Sequence, residues 1–139
     1  MDVKDAVSSL FNSQKLCVLS TVNKEGKPQA ALVGFAHNHK FELIFGTDEK
    51  SRKAKNLINN HNIALVVNGE ADCVQYEGIV KLLSGGEKKR FLEILFTKNP
   101  NIEKFSLLPG QLYYKIVPVW IRYIDHNFSP GKISELNFE

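Results

Sequence analysis

The 139-residue chain is 43% apolar and carries a formal net charge of +3, a size and balance that suit one domain around one core. So small and evenly spread a charge does not imply a nucleic-acid groove, which shows as a concentrated basic face, and leaves small acidic ligands open. No apolar run approaches the roughly 18 residues that span a bilayer, so no membrane partner is expected.

The start, Met1-Asp2-Val3-Lys4-Asp5, has no signal-peptide core. The two cysteines, Cys17 and Cys73, lie far apart and read as small buried residues in a reducing compartment. A cytoplasmic location is the expectation.

Behind Asp2, a suitable N-cap, Val3, Ala6, Val7, Leu10 and Phe11 recur at helical spacing, which predicts an amphipathic helix over the first dozen residues. Leu16 to Val22 is rich in β-formers, and Asn23 to Lys27 supplies the turn into a second strand from Pro28 to Ala36. A third strand alternates through Phe41, Leu43 and Phe45 and ends at Gly46. Lys50 to Asn60 then switches to helical period, with Ala54, Leu57 and Ile58 on one face.

Ile63 to Val67 and Cys73 to Leu83 read as two further strands, with Gly78 as a bulge or a close-approach point. Ser84-Gly85-Gly86-Glu87 has the spacing of a capping box and opens a helix with an apolar stripe of Phe91, Leu92, Leu95 and Phe96. That helix stops before Asn99-Pro100. A final strand runs from Leu112 to Ile124 with Pro118 at a bulge or an edge. Six strands joined mainly by hairpins, with helices between them, fit an antiparallel split β-barrel better than a parallel sheet. Residues 1–125 make the domain and polar residues 126–139 its C-terminal arm.

The chemistry concentrates at Phe45-Gly46-Thr47-Asp48-Glu49-Lys50-Ser51-Arg52-Lys53-Ala54. A strand entering a helix start offers unpaired N–H groups and the positive end of the helix dipole, an anion site. Arg52 can fork onto phosphate oxygens, Lys53 adds a point charge and Ser51 a neutral hydrogen bond, a set matched to a phosphomonoester dianion. From the residues alone, the same run also reads as a solvated basic helix face or a nucleic-acid patch. His37 and His39 flank Asn38, but His-x-His without a spaced carboxylate makes a poor metal site.

The segment from Leu16 to Val67 resembles the flavin-binding region of the pyridoxamine 5'-phosphate oxidase-like superfamily. The pieces that carry the likeness are Leu19-Ser20-Thr21-Val22, Gly26-Lys27-Pro28, the strand Ala31 to Ala36, Phe45-Gly46-Thr47, Ser51-Arg52-Lys53-Ala54-Lys55-Asn56-Leu57, and Asn60 leading into Ile63-Ala64-Leu65. Tyr76-Glu77-Gly78 and Ile116 to Tyr123 agree more loosely. The resemblance implies a split barrel that holds flavin mononucleotide (FMN), with Arg52 and Lys53 on its phosphate, Ser51 beside them and Thr47 touching the cofactor. It also implies that Ala31, Leu32, Val33 and Gly34 lie along the isoalloxazine ring, where small residues such as Ala31, Gly34 and Gly46 let main chain approach. Gln75, Trp120 and Arg122 are weaker candidates for the same site.

Departures narrow the expectation. The true oxidase has an arginine at the place of Ala31 and a lysine at that of Ala36, and its Arg-x-His substrate clasp has no counterpart after Tyr123, so pyridoxal-phosphate synthesis is not expected. Cys73 stands where relatives have a cofactor-contacting glutamine, with Gln75 two residues on and on the same strand face. No side chain is an obvious acid or base. The resemblance therefore implies an FMN-dependent oxidoreductase for an unknown small-molecule substrate, working as a homodimer with cofactor at the interface. The alternatives on the same barrel are a flavin carrier or sensor, or a relative that binds haem or a deazaflavin.

Overall fold

A computed structural model describes residues 2–139. Helix α1 (Val3–Ser13) begins where the sequence predicts it, with Asp2 Oδ1 accepting from Asp5 N at 2.8 Å, which satisfies one of the orphan donors of the first turn. The chain continues as β1 (Leu16–Val22), β2 (Pro28–Gly34), β3 (Ala36–His37), β4 (Leu43–Asp48), α2 (Arg52–Asn59), β5 (Asn62–Asn68) and β6 (Asp72–Leu82). It closes with α3 (Gly85–Lys98), a 3-10 segment (Pro100–Leu107), β7 (Gln111–Asp125) and β8 (Lys132–Asn137).

All eight strands join one antiparallel sheet in the order β2-β1-β5-β6-β7-β4-β3, with β8 pairing β7 off that path. Because β2 and β3 are consecutive, the two ends of this order are one kinked stretch of chain, and the sheet curls round as a split barrel. The kink falls at Phe35, whose N–H leaves the ladder to donate to Lys15 O at 3.2 Å and whose ring is 1% exposed. The expected single strand from Pro28 to Ala36 is thus two. The sheet also exceeds the expected six strands through β8, since the tail is no free arm but pairs along Trp120 to Asp125.

Alternation decides what each strand buries. Leu19, Phe45, Leu65, Val74, Tyr76, Ile116 and Ile121 fill the barrel, Val7, Leu10 and Phe11 of α1 and Leu57 of α2 join them, and each such side chain contributes about 1.5–3 kcal/mol by leaving water. A second cluster packs Phe91 and Leu95 of α3 against Ala36, Ile44 and Tyr113.

The long strands β6 and β7 change register between Glu77 and Gly78, where Gly78 faces Pro118. Both expectations for Gly78 hold: a Cβ there would fall 2.6 Å from Ile116 Cγ2 and 2.7 Å from Val117 O. The expected capping box at α3 does not form. Ser84 makes no side-chain cap, and Glu87 instead pairs with Lys115 Nζ at 2.7 Å, a stronger partner than a backbone N–H.

Candidate cofactor site

Strand β4 delivers Thr47, 8% exposed, to the edge of the barrel interior, and a short turn then starts α2. Ser51 is the N-cap of that helix, its Oγ accepting from Ala54 N at 3.1 Å. The same oxygen lies 2.9 Å from Thr47 Oγ1. The two hydroxyls are thereby fixed beside the first turn of α2, where the N–H groups of Arg52 and Lys53 find no acceptor among the described residues.

Arg52 is exposed and Lys53 half-buried. Neither makes an ion pair among the described residues. The turn is tied down on its far side by Glu49 N donating to Gly110 O at 2.8 Å and Lys50 N donating to Asp48 Oδ1 at 2.7 Å. Behind the helix, Asn56 Nδ2 donates to Thr21 Oγ1 at 2.9 Å and Gln29 Oε1 at 3.0 Å, which fixes α2 against β1 and β2.

The candidate residues of β2 divide between faces. Ala31, opposite Leu19, and Val33, opposite Cys17, point inward, while Leu32 is 67% exposed on the outer face. What they share is an edge: β2 ends the sheet order and pairs only with β1, so main-chain groups along its other side are open to a ligand. Gly34 meets only Ile102 Cδ1 at 3.6 Å and Lys15 O at 3.9 Å. Gly46 has a different reason to be small, because a Cβ there would fall 2.6 Å from Tyr113 Cε1. Its missing side chain makes room for the Tyr113 ring.

Gln75, Trp120 and Arg122 form a separate group. Gln75 pairs with Arg122 and Glu77 with Trp120 across β6 and β7, on the outer face. Gln75 and Trp120 line one cavity of about 290 Å³ with Val18, Ser20, Ala64 and Val66. Trp120 and Arg122 share a face, as alternation predicts, and their common partner is Glu135 of β8. Its Oε2 accepts from Trp120 Nε1 at 3.1 Å and its Oε1 from Arg122 Nη2 at 2.6 Å, bonds that hold its carboxyl below the usual range. The Arg122 guanidinium also lies 5.3 Å from the Trp120 ring centre.

Cys73 shares the outer face with Gln75, and burial, with Asp72 beside it, raises its thiol pKa, which makes it a poor nucleophile. Within one chain this outer-face group and the α2 start line no common cavity among those around the barrel. Glu135 and Asn56 escape a sequence-based search, the first because its segment looks like a polar arm and the second because its partners lie about 30 residues away.

The profile described as pyridoxamine 5'-phosphate oxidase matches residues 3–125, almost the whole of this barrel. The chain belongs to that family. No curated protein sequence matches it.

Among solved structures the fold is similar to a heme binding protein from Mycobacterium smegmatis, with a TM-score of 0.87 at 11% identity over 99% of this chain and 58% of that one. The chain thus spans little more than half the length of that relative. It is also similar to General Stress Protein 26 from Bacillus anthracis str. Sterne, with a TM-score of 0.76 at 25% identity over 98% and 100% of the two chains. A putative pyridoxamine 5'-phosphate oxidase from Listeria innocua gives 0.73 at 18% identity over 88% and 98%. Among the described residues no helix is long and apolar enough to cross a membrane.

Proposed function

We propose that this family member binds FMN as a homodimer and serves as an oxidoreductase for a small molecule. The observation that carries the reading is the start of α2, where Ser51 and Thr47 stand together with two N–H groups and two cations that have no partner among the described residues, the donor set a phosphomonoester needs. The open edge of β2 supports placing the ring along Ala31 to Gly34, where main-chain donors and acceptors can meet its polar rim.

When bound, FMN supplies the redox chemistry, and the protein's part is to hold it, orient it and keep water away. The outer sheet face leaves Leu16 53%, Val18 43% and Leu32 67% exposed, an apolar patch of neighbouring residues, which supports its burial by a second copy. Each site would then join the α2 start of one protomer to Gln75, Trp120 and Arg122 of the partner subunit. Cys17 and Cys73 are free thiols, in keeping with a cytoplasmic setting.

The test is absorbance of the freshly purified protein followed by FMN titration. The expected result is a flavin spectrum, with Arg52→Ala weakening FMN about tenfold or more, since a charge-assisted bond contributes roughly 1.5–3 kcal/mol. Unchanged affinity in that variant, or colourless protein that ignores added FMN, refutes the assignment. A second reading, haem binding, is favoured by the heme binding protein from Mycobacterium smegmatis; a Soret band on haem addition, with no flavin uptake, would select it.

A further inference from the structure

Where β4, β7 and β6 run side by side, Tyr114 of β7 stands between Phe45 and Leu82. It is 6% exposed, and its ring stacks on that of Phe45 with centres 5.3 Å apart and planes 19° from parallel, which fixes the direction of the hydroxyl. Tyr114 lines a cavity of about 400 Å³ whose apolar walls are Leu57 and Ile58 of α2 and Val80 and Leu82 of β6, a volume in the range of small-molecule pockets. Val80 N donates to His61 O at 2.8 Å, which ties the turn after α2 to β6 beside the cavity.

Buried hydroxyls normally find a partner. Those of Tyr76 and Tyr123 do, whereas that of Tyr114 makes no hydrogen bond among the described residues. The enclosed side-chain atom left without a partner is His37 Nδ1 and not the Tyr114 oxygen, so this hydroxyl is unpaired without being sealed, and it opens on the cavity that the residue lines. Burial raises its pKa, which keeps the proton in place and makes the group a donor. The other polar residues of the lining are His61 and Lys81, and no carboxylate of the described residues joins them. Lys81 stands opposite Lys115 across β6 and β7, a like-charge pair that costs stability. Lys115 is answered by Glu87 at 2.7 Å, while Lys81 has no ion pair among the described residues.

We propose that this cavity between α2 and the end of β6 binds a small carboxylic acid with an apolar body, its carboxylate accepting from the Tyr114 hydroxyl and answering the charge of Lys81. Leu57, Ile58, Val80 and Leu82 surround the hydrocarbon and gain by leaving water against it. One donor and one cation suit a single negative charge, where a phosphate dianion needs the richer set at the start of α2. The two sites share a helix but no residue, so this one stands whether or not FMN occupies the other.

The experiment titrates the intact, nitrogen-15-labelled protein at pH 7 with sodium 4-phenylbutyrate and follows the amide resonances. Saturable shifts are expected around Leu57, Ile58, Val80 and Leu82, with 4-phenylbutanol, which lacks the charge, binding at least about tenfold more weakly. Tyr114→Phe keeps the ring on Phe45 and is expected to weaken the acid about tenfold or more, the scale of a hydrogen bond to a charged group. Leu82→Asp, at a side chain 59% exposed and therefore safe for folding, sets a negative charge in the wall and is expected to abolish saturation; it decides the matter should Tyr114→Phe fail to fold. Shifts that never saturate, saturable shifts centred on Arg52 and Lys53 or on the outer sheet face, equal affinity for acid and alcohol, or a Leu82→Asp protein that binds like the parent each overturn the proposal.

Discussion

The hydroxyl of Tyr76, deep in the barrel, donates to Phe41 O at 2.8 Å, and Phe41 is a non-glycine residue with φ at 61°. A side chain in that region costs about 1–2 kcal/mol, and the bond from β6 helps hold the turn that carries it into β4. Ile116 O lies 3.3 Å from the same hydroxyl. Tyr76→Phe keeps the ring and removes the donor, so two buried carbonyls lose it. The expected loss is about 1–3 kcal/mol in urea unfolding, and a change under 0.5 kcal/mol would mean that water replaces the hydroxyl.

Asn56 does similar work for α2. It is 7% exposed, Thr21 is 1% exposed, and its amide satisfies both Thr21 and Gln29. Asn56→Ala is expected to cost about 1–3 kcal/mol of stability. It should also weaken FMN more than Asn59→Ala at the exposed end of the helix, because of the two it is Asn56 that bonds across to β1 and β2. Equal FMN affinities for the two variants would separate the cofactor from the orientation of α2.

How far the residues announce this architecture depends on whether local pattern or distant pairing decides each element. Leu16 to Val22 is a strand within its expected bounds, because the run is rich in β-formers and Asn23 ends it with its side-chain oxygen accepting from Glu25 N and Lys27 N. Ser51 reads as a helix start for an equally local reason. The break at Phe35 stays hidden, since Ala31 to Ala36 is uniformly apolar and the bond that bends it comes from Lys15. The strand β8 hides for the opposite reason: Lys132, Ser134, Glu135 and Asn137 are polar, and what makes them a strand is the open edge of β7. Trp120 and Arg122 could be placed on one face from spacing, but their partner Glu135 could not.

That partner gives a prediction that separates local order from stability. Trp120 is the only tryptophan of the chain, so the fluorescence reports on this one indole, whose Nε1 the Glu135 carboxylate holds. Glu135→Gln keeps an acceptor but loses the charge that grips Arg122. Its unfolding midpoint should barely move, as for exposed ion pairs in general, while acrylamide quenches Trp120 more strongly than in the parent. Unaltered quenching would show that β8 positions the indole by its backbone pairing.

His37 links stability to pH. Its Nε2 is 2.9 Å from Ser8 Oγ, its Nδ1 is buried with no partner among the described residues, and the Phe11 and Phe41 rings pack on it. Burial, with the Lys98 ammonium nearby, pulls its pKa from 6.5 down to about 4. Between those two values the unfolded chain holds more protons at this residue than the folded one, so its contribution to stability falls as pH drops from 6.5 towards 4 and is level above 6.5. Urea midpoints measured at pH 7.5 and pH 5 should therefore fall further in the parent than in His37→Gln, which keeps a polar side chain for Ser8 and cannot titrate. Carboxylates contribute to the drop in both proteins, so the difference between the two drops isolates the imidazole. Identical drops would show that the ring takes up its proton as readily in the folded protein as in the unfolded chain, and that the packing around Nδ1 opens enough to admit water.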